Sequence, residues 1–221
     1  MKKVFMIVTM VFALCVSAFA DKIKCVKETY TYQNDDGKTY TNVFYVIENF
    51  VIFDFKWPLA KTDKLLFYTT DGKFYYNNDG YPTYLGNGRL SDIVYGVGDP
   101  PRIINEKKEE TWYDKTEFYH LLIEDFYEHR LKMSGSHSRE ELWALEDFIL
   151  TGEKIYTKEE LRILRNTIYA KYGYIFKSRD LTYIFSKSEW YKPQFDNGDF
   201  IKEKMNKTEE CYLELIRNLE E

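Results

Sequence analysis

Four residues in the last third of the chain have side chains suited to binding. Arg165 can form two parallel hydrogen bonds with one carboxylate or phosphate group, and Tyr169, Tyr174 and Tyr191 each combine an aromatic ring with a hydroxyl group. Arginine and tyrosine are enriched among the residues that contribute most affinity at binding surfaces. The sequence therefore predicts a binding site here, with packing of the tyrosine rings and a surface ion pair as the alternative roles.

The histidines and cysteines follow no pattern typical of a metal centre or a catalytic site. In a helix, the spacing of His120, Glu124 and His129 turns His129 away from His120, so the three cannot converge, and His120 falls on the charged, solvated face. The chain contains neither a Cys-x-x-Cys pair nor a Gly-x-Ser-x-Gly elbow. We therefore predict no catalytic residue, no metal site and no cofactor, although a triad of distant residues stays open.

The amino-terminal segment has the order of a secretory signal peptide. Lys2 and Lys3 precede the apolar run of residues 4–16, and the small residues of an Ala-Phe-Ala sequence follow at 18–20. We expect cleavage before Asp21 and export to the periplasm, the cell surface or the medium. The apolar run is shorter than the ~20 residues of a membrane-spanning helix, and no later stretch predicts a transmembrane segment in the mature chain.

Three cysteines bear on the fate of the exported chain. Cys15 lies inside the apolar run and follows the bulky Leu14, which disfavours a lipoprotein anchored through Cys15. Cys25 and Cys211 remain after cleavage, near opposite ends of the mature protein. In an exported chain such a pair predicts a disulfide, with two free or buried thiols as the alternative.

The charge of the chain excludes two classes of partner. Its formal net charge is −5, and loss of the two signal lysines makes it more negative. Binding to nucleic acid depends on neutralisation of phosphates by clustered lysine and arginine, and docking on anionic lipid depends on a basic patch. The sequence has no such cluster, so we expect no nucleic-acid partner.

The elements of the chain change from strands to helices along its length. Up to about residue 97 it is rich in Tyr, Phe, Val, Ile and Thr, which predicts strands at 29–32, 40–55, 64–70 and 74–76. Aspartate-glycine sequences at 36–37, 71–72 and 79–80 predict tight turns among them. Capping pairs then begin helices, with an acceptor side chain three residues before a glutamate. These pairs are Asp114 with Glu117, Ser138 with Glu141 and Thr157 with Glu160.

The last of these helices carries a recognisable string of residues. Leu161, Leu164, Ile168 and Tyr172 recur at helical spacing, and Gly173 follows as a left-handed cap. The string from Leu164 to Phe176, continued by Leu181, Phe185 and the Trp-Tyr-Lys-Pro sequence at 190–193, resembles the YARHG domain family. The resemblance implies a small helical module at residues 154–221 in a bacterial protein located outside the cytoplasm, and it implies no particular activity.

Two positions depart from the family's name-giving motif. Lys171 stands where the family has arginine, which keeps the charge and loses the planar fork, and Tyr172 stands where it has histidine. The chain therefore lacks the only side chain of the motif that titrates near neutral pH. Imidazole chemistry cannot be the mechanism of this member.

These observations predict an α+β protein. Its parts would be a signal peptide at 1–20, an antiparallel β-rich domain at 21–97, a linker or surface loop at 98–113, a helical hairpin region at 114–153 and the YARHG-like module at 154–221. We expect a non-enzymatic exported protein that binds an envelope polymer or protein. The alternative function is a hydrolase of envelope polymers or peptides that uses dispersed carboxylates.

Overall fold

The computed structural model describes residues 22–33, 36–55, 63–69, 74–76, 84–86, 89–90 and 102–221. The signal peptide, its cleavage site and Cys15 lie outside these residues, as do the predicted turns at 71–72 and 79–80. None of the helices in the described residues is both long and apolar enough to cross a membrane.

The amino-terminal part is one antiparallel sheet. Its eight strands within the described residues are ordered β7-β6-β5-β4-β3-β2-β1-β8, so sequence neighbours pair by hairpins and the last strand closes onto the first. The strands are β1 (Lys22–Gln33), β2 (Thr39–Ile47), β3 (Phe50–Phe55), β4 (Asp63–Thr69), β5 (Phe74–Tyr76), β6 (Tyr84–Gly86), β7 (Arg89–Leu90) and β8 (Arg102–Asp114). The predicted α+β class, with strands before helices, is confirmed.

The segment predicted as one strand at 40–55 is two strands. β2 and β3 pair through Ile47 and Phe50, and the connection between them places Glu48 at a φ of 46°. Tight hairpins need positive φ, and glycine usually supplies it. Because no glycine marks this turn, the apolar residues on both sides of it predict one continuous strand. The turn predicted at Asp36-Gly37 is confirmed, with Gly37 at a φ of 75°.

The segment predicted as a linker or surface loop at 98–113 contains a strand instead. β8 pairs with β1 along almost its whole length, from Lys22 opposite Asp114 to Gln33 opposite Arg102. Its charged residues lie on an edge strand and form cross-strand ion pairs, such as Lys108 with Glu28 at 2.8 Å. Charged side chains are common on edge strands, so a run of charge did not mean a linker here.

Six helices follow the sheet in the described residues. They are α1 (Lys115–Phe126), continued by one π-helical turn at Tyr127–Leu131, then α2 (Arg139–Ile155), α3 (Lys158–Lys171), α4 (Arg179–Phe185), α5 (Gly198–Lys202) and α6 (Lys207–Glu220). The three predicted caps are confirmed, since Asp114, Ser138 and Thr157 each accept a hydrogen bond from the backbone three residues later.

One hydrophobic core joins the sheet to the helices. The ring of Phe50 on β3 lies 5.3 Å from that of Phe118 on α1 and 5.8 Å from that of Tyr156. The Asn49 amide in the β2–β3 turn donates to the carbonyl oxygen of Ile155 at 3.0 Å. The α3 residues Leu161, Leu164 and Ile168 belong to the same core. The sheet therefore supports the helices that carry the candidate site.

Candidate functional site

The candidate site is formed by two antiparallel helices, α3 and α6. Lys171 at the end of α3 contacts Glu209 at the start of α6, and Arg165, earlier in α3, contacts Glu220 at the end of α6. Residues four apart on a helix share one face, so Arg165 and Tyr169 point to the same side. A cavity opens on this face of α3.

Three of the four predicted binding residues line this cavity. Its volume is about 300 Å³, and Arg165, Tyr169 and Tyr174 lie in its wall. The remaining lining residues, which the sequence did not single out, are Asn166, Gly198, Asp199, Lys202 and Arg217. We call this hollow the α3–α6 cavity. No local motif marks Lys202 and Arg217, because the fold brings them to the site from two other helices, α5 and α6.

The charged groups of the cavity differ in how far they are compensated. Arg165 Nη1 lies 2.9 Å from Glu220 Oε2, and Lys202 Nζ lies 3.0 Å from Asp199 Oδ1. The Arg217 guanidinium donates to the hydroxyl of Tyr169 at 3.1 Å. In the part of the chain that the structure describes, no carboxylate lies within ion-pair distance of Arg217.

The aromatic wall consists of two tilted rings above a glycine. The ring centroids of Tyr169 and Tyr174 are 5.9 Å apart with an interplanar angle of 59°. A Cβ built at Gly198 would lie 3.8 Å from the ring of Tyr174 and 4.0 Å from that of Tyr169, which are ordinary contact distances. A side chain at position 198 would therefore pack against both rings in the cavity.

Tyr191, the fourth predicted binding residue, lies in the core. It is 7% exposed, its ring packs against Phe176 and Phe185, and its hydroxyl donates to the carbonyl oxygen of Tyr174 at 2.7 Å. Burial raises the pKa of Tyr191. Its position supports the packing alternative and holds the backbone of Tyr174 in place.

The two positions that depart from the name-giving motif converge on one buried carboxylate. Glu209 is 0% exposed and accepts hydrogen bonds from Lys171 Nζ, from the Tyr172 hydroxyl at 2.5 Å and from Ser134 Oγ at 2.9 Å. The backbone amide of Asn206 completes the set at 2.9 Å, within the capping box of α6. Burial, followed by the hydrogen bond to Glu209, raises the pKa of Tyr172. We call these residues the Glu209 cluster.

A second buried carboxylate holds the loop next to this cluster. Glu141 accepts hydrogen bonds from the backbone amides of Gly135 and His137, both at 2.7 Å, and from Thr208 Oγ1 at 2.5 Å. Burial acts to raise the pKa of Glu141, but these hydrogen bonds together with one from Ser136 outweigh it and hold the pKa below its usual value. The loop between α1 and α2 is thus attached to the start of α6.

Gly173 joins the two sides of the site. Its φ is 76°, and an added Cβ would lie 2.5 Å from the carbonyl oxygen of Lys192. Its own carbonyl accepts hydrogen bonds from the amides of Gln194 and Phe195 at 2.7 and 3.0 Å. Only glycine meets both conditions, so the predicted left-handed cap is confirmed.

The predicted disulfide is absent, because the two cysteines lie in different environments. Cys25 is buried in the core on β1, and Cys211 is exposed on α6; both are free thiols. A disulfide requires Cβ atoms about 3.8 Å apart, which a core thiol and a solvent-facing one do not provide. Burial raises the pKa of the Cys25 thiol.

His120 is also placed differently from the prediction of a solvated face. It is half-buried, with Nδ1 3.5 Å from Ser188 Oγ and 3.8 Å from Glu124 Oε1, while Trp190 Nε1 donates to Glu124 at 2.9 Å. The segment after α4 covers this face, and burial lowers the pKa of His120. The described residues contain no cluster of His, Cys, Asp and Glu arranged to hold a metal ion.

Comparison with protein families identifies the helical part. Residues 139–221 match the family model described as the YARHG domain. The match begins at the first residue of α2, earlier than the start predicted at 154. No curated protein and no solved structure matches the chain. A match to the YARHG domain suggests an exported protein.

Proposed function

We propose that the protein is a non-enzymatic binding module that acts outside the cytoplasm after cleavage before Asp21. Its YARHG domain would hold an envelope polymer or protein in the α3–α6 cavity. The observation that carries this proposal is the convergence of Arg165, Tyr169 and Tyr174 with Lys202 and Arg217 on one cavity. Arginine and tyrosine, four of these five residues, are enriched at binding hot spots.

The alternative of a hydrolase has no comparable support in this cavity. Hydrolysis by carboxylates uses two acidic groups at a defined separation, one as the acid and one as the base or nucleophile. Asp199 is the one carboxylate among the residues described as lining the cavity, and its side chain is 88% exposed. A binding role therefore accounts for the lining better.

The experiment measures sedimentation of the mature chain with purified peptidoglycan and with an extract of wall polymers. Tyr169→Ala and Arg165→Ala are compared with Tyr183→Ala, which removes an exposed tyrosine on α4 outside the cavity. We expect the two cavity variants to lose about tenfold or more in affinity and the control to bind as the parent does. Circular dichroism verifies that each variant is folded.

Two results would reject the proposal. One is retention of the parent's affinity by both folded cavity variants, which would place the binding surface elsewhere. The other is hydrolysis of either polymer by the parent, measured as release of reducing ends or new amino groups, which would establish an enzyme.

A further inference from the structure

We propose that the α3–α6 cavity binds an anionic saccharide unit, with its carboxylate or phosphate group on Arg217 and Lys202 and its ring against Tyr169 and Tyr174. This inference rests on the proposed function and adds the chemical class of the ligand. It is carried by the charge, the shape and the surroundings of the cavity.

The charge of the cavity is opposite to that of the chain. Arg165, Lys202 and Arg217 line it together with a single carboxylate, Asp199, whereas the whole chain has a formal net charge of −5. Glu220 neutralises Arg165, and Asp199 faces Lys202. The guanidinium of Arg217 donates a hydrogen bond to the neutral Tyr169 hydroxyl and has no carboxylate within ion-pair distance among the described residues, so an incoming anion would meet its charge. Arginine binds carboxylate and phosphate groups through two parallel hydrogen bonds.

The shape of the cavity fits one ring next to that anion. Its volume of about 300 Å³ is at the lower end of the range for small-molecule sites, ~300–1,000 Å³. The rings of Tyr169 and Tyr174 form two sides of it, and each has an apolar face and a polar tip. The CH groups of a sugar ring can pack on these faces, while its hydroxyl groups reach Asn166 and Asp199.

The surroundings argue for a charge that is not repeated on every unit of the ligand. A second hollow of about 410 Å³ adjoins the cavity and shares Lys202 and Arg217 with it. Its other lining residues include three acids, Glu210, Glu214 and Glu221. A uniformly charged polyanion would be repelled there, since like charges at close range are unfavourable. A saccharide in which charged and neutral units alternate fits both hollows.

The test uses isothermal titration calorimetry on the mature chain with three probes. They are an oligosaccharide of alternating glucuronate and N-acetylglucosamine, a neutral N-acetylglucosamine oligosaccharide of the same length, and N-acetylglucosamine 1-phosphate. We expect binding of at least one anionic probe, about tenfold or more above the neutral one, and weaker binding in high salt. The two anionic probes distinguish a carboxylated from a phosphorylated source.

Matched variants distinguish the effect of removing a charge from the effect of filling the cavity. Arg217→Gln should lower the affinity for the anionic probe about tenfold, whereas Arg139→Gln, which removes an arginine that stacks on Trp143 of α2, should leave it unchanged. Gly198→Leu places a bulky side chain against both tyrosine rings in the cavity without changing any charge, and it should abolish binding of every ligand of the cavity.

The outcomes distinguish this inference from the proposed function. Equal affinity for the neutral probe, no binding of either anionic probe, or full affinity in Arg217→Gln overturns the anionic class. If Gly198→Leu no longer binds the wall polymer in the sedimentation experiment, the cavity remains the binding site, and its ligand is not an anionic saccharide. If Gly198→Leu binds that polymer as the parent does, the proposed function fails as well.

Discussion

The two sides of the end of α3 differ in how their polar groups are satisfied. On the closed side, Lys171 and Tyr172 meet the buried carboxylate of Glu209, and each donor has a partner inside the protein. On the open side, Tyr169 and Arg217 contact one another at the wall of a cavity, and the positive charge of Arg217 faces solvent. The closed side has the character of a scaffold and the open side that of a binding surface.

Helical geometry produces this division within one motif. Tyr169 and Lys171 are two residues apart, which turns their side chains about 200° from each other around the helix. Lys171 therefore points into the domain, while Tyr169 of the same motif points into the cavity. A short motif on a helix can thus contain residues of both roles, and the fold is needed to separate them.

Removal of the cation from the closed side should have the largest effect on stability. Lys171→Met leaves Glu209, which is 0% exposed, without its positively charged partner. Breaking a buried ion pair costs about 3–5 kcal/mol, and the partial exposure of Lys171 places this variant near the lower end, at about 3 kcal/mol. Urea unfolding followed by circular dichroism measures the change.

Lys171→Arg is the control for this variant, because it keeps the positive charge and introduces the arginine that the family motif has at this position. We expect it to retain most of the stability that Lys171→Met loses. A loss as small as 0.5 kcal/mol in Lys171→Met, a value ordinary for surface changes (about ±0.5 kcal/mol), would show that the Glu209 cluster does not hold the domain together.

The connection between the two sides should be nearly as sensitive. Gly173→Ala forces a side chain into left-handed backbone at a φ of 76° and against the carbonyl oxygen of Lys192. We expect a loss of about 2–3 kcal/mol in the free energy of unfolding. Gly198→Ala in the same domain is the matched control, since its Cβ would make only ordinary contacts. Equal stability of the two variants would contradict the requirement for glycine at position 173.

The local elements of the fold were predictable because their signals are short in range. Each helix cap that the sequence predicted needs only residues three apart, and the α3 core face repeats every turn. The turn at Glu48 and the strand at 102–114 could not be read this way. Glu48 takes a positive φ without glycine, and β8 is defined by its pairing with β1, which lies far away in sequence.

The same limit applies to the site. Arg165 and Tyr169 were predictable from residue type and helical spacing, whereas Arg217 joins them only because α6 returns antiparallel to α3, and Lys202 because α5 packs beside them. Tyr191 has the residue type of a binding position, yet its ring packs against Phe176 and Phe185 in the core. Residue type alone does not distinguish a tyrosine that faces a ligand from one that is buried.

Acid should weaken the fold through Glu141, which attaches the α1–α2 loop to the start of α6. The hydrogen bonds to Glu141 hold its pKa below the ordinary value of 4.5, so its ionised form favours the folded state. This stabilisation is fully present above pH 4.5 and is lost as the pH falls through the lower pKa of the folded protein. Glu160 of the folded protein takes up its proton at a higher pH, because burial raises its pKa above 4.5.

Urea unfolding of the parent and of Glu141→Gln between pH 5.5 and pH 3 tests this dependence. We expect the stability of the parent to fall more steeply with acid than that of the variant, because glutamine cannot take up the proton. Parallel curves for the two proteins would show that Glu141 binds protons equally in the folded and unfolded states.

The smallest effect on stability is expected on the open side. The ion pair of Arg165 with Glu220 is partly exposed, and such pairs contribute about 0.2–1 kcal/mol, while Arg217 has no carboxylate partner in the described structure to lose. Arg165→Gln should therefore cost under about 1 kcal/mol and Arg217→Gln under about 0.5 kcal/mol in urea unfolding. The contrast with about 3 kcal/mol for Lys171→Met is what separates surface from scaffold. If Arg217→Gln were as destabilising as Lys171→Met, Arg217 would belong to the scaffold, and a loss of ligand affinity in that variant would reflect unfolding rather than a missing contact.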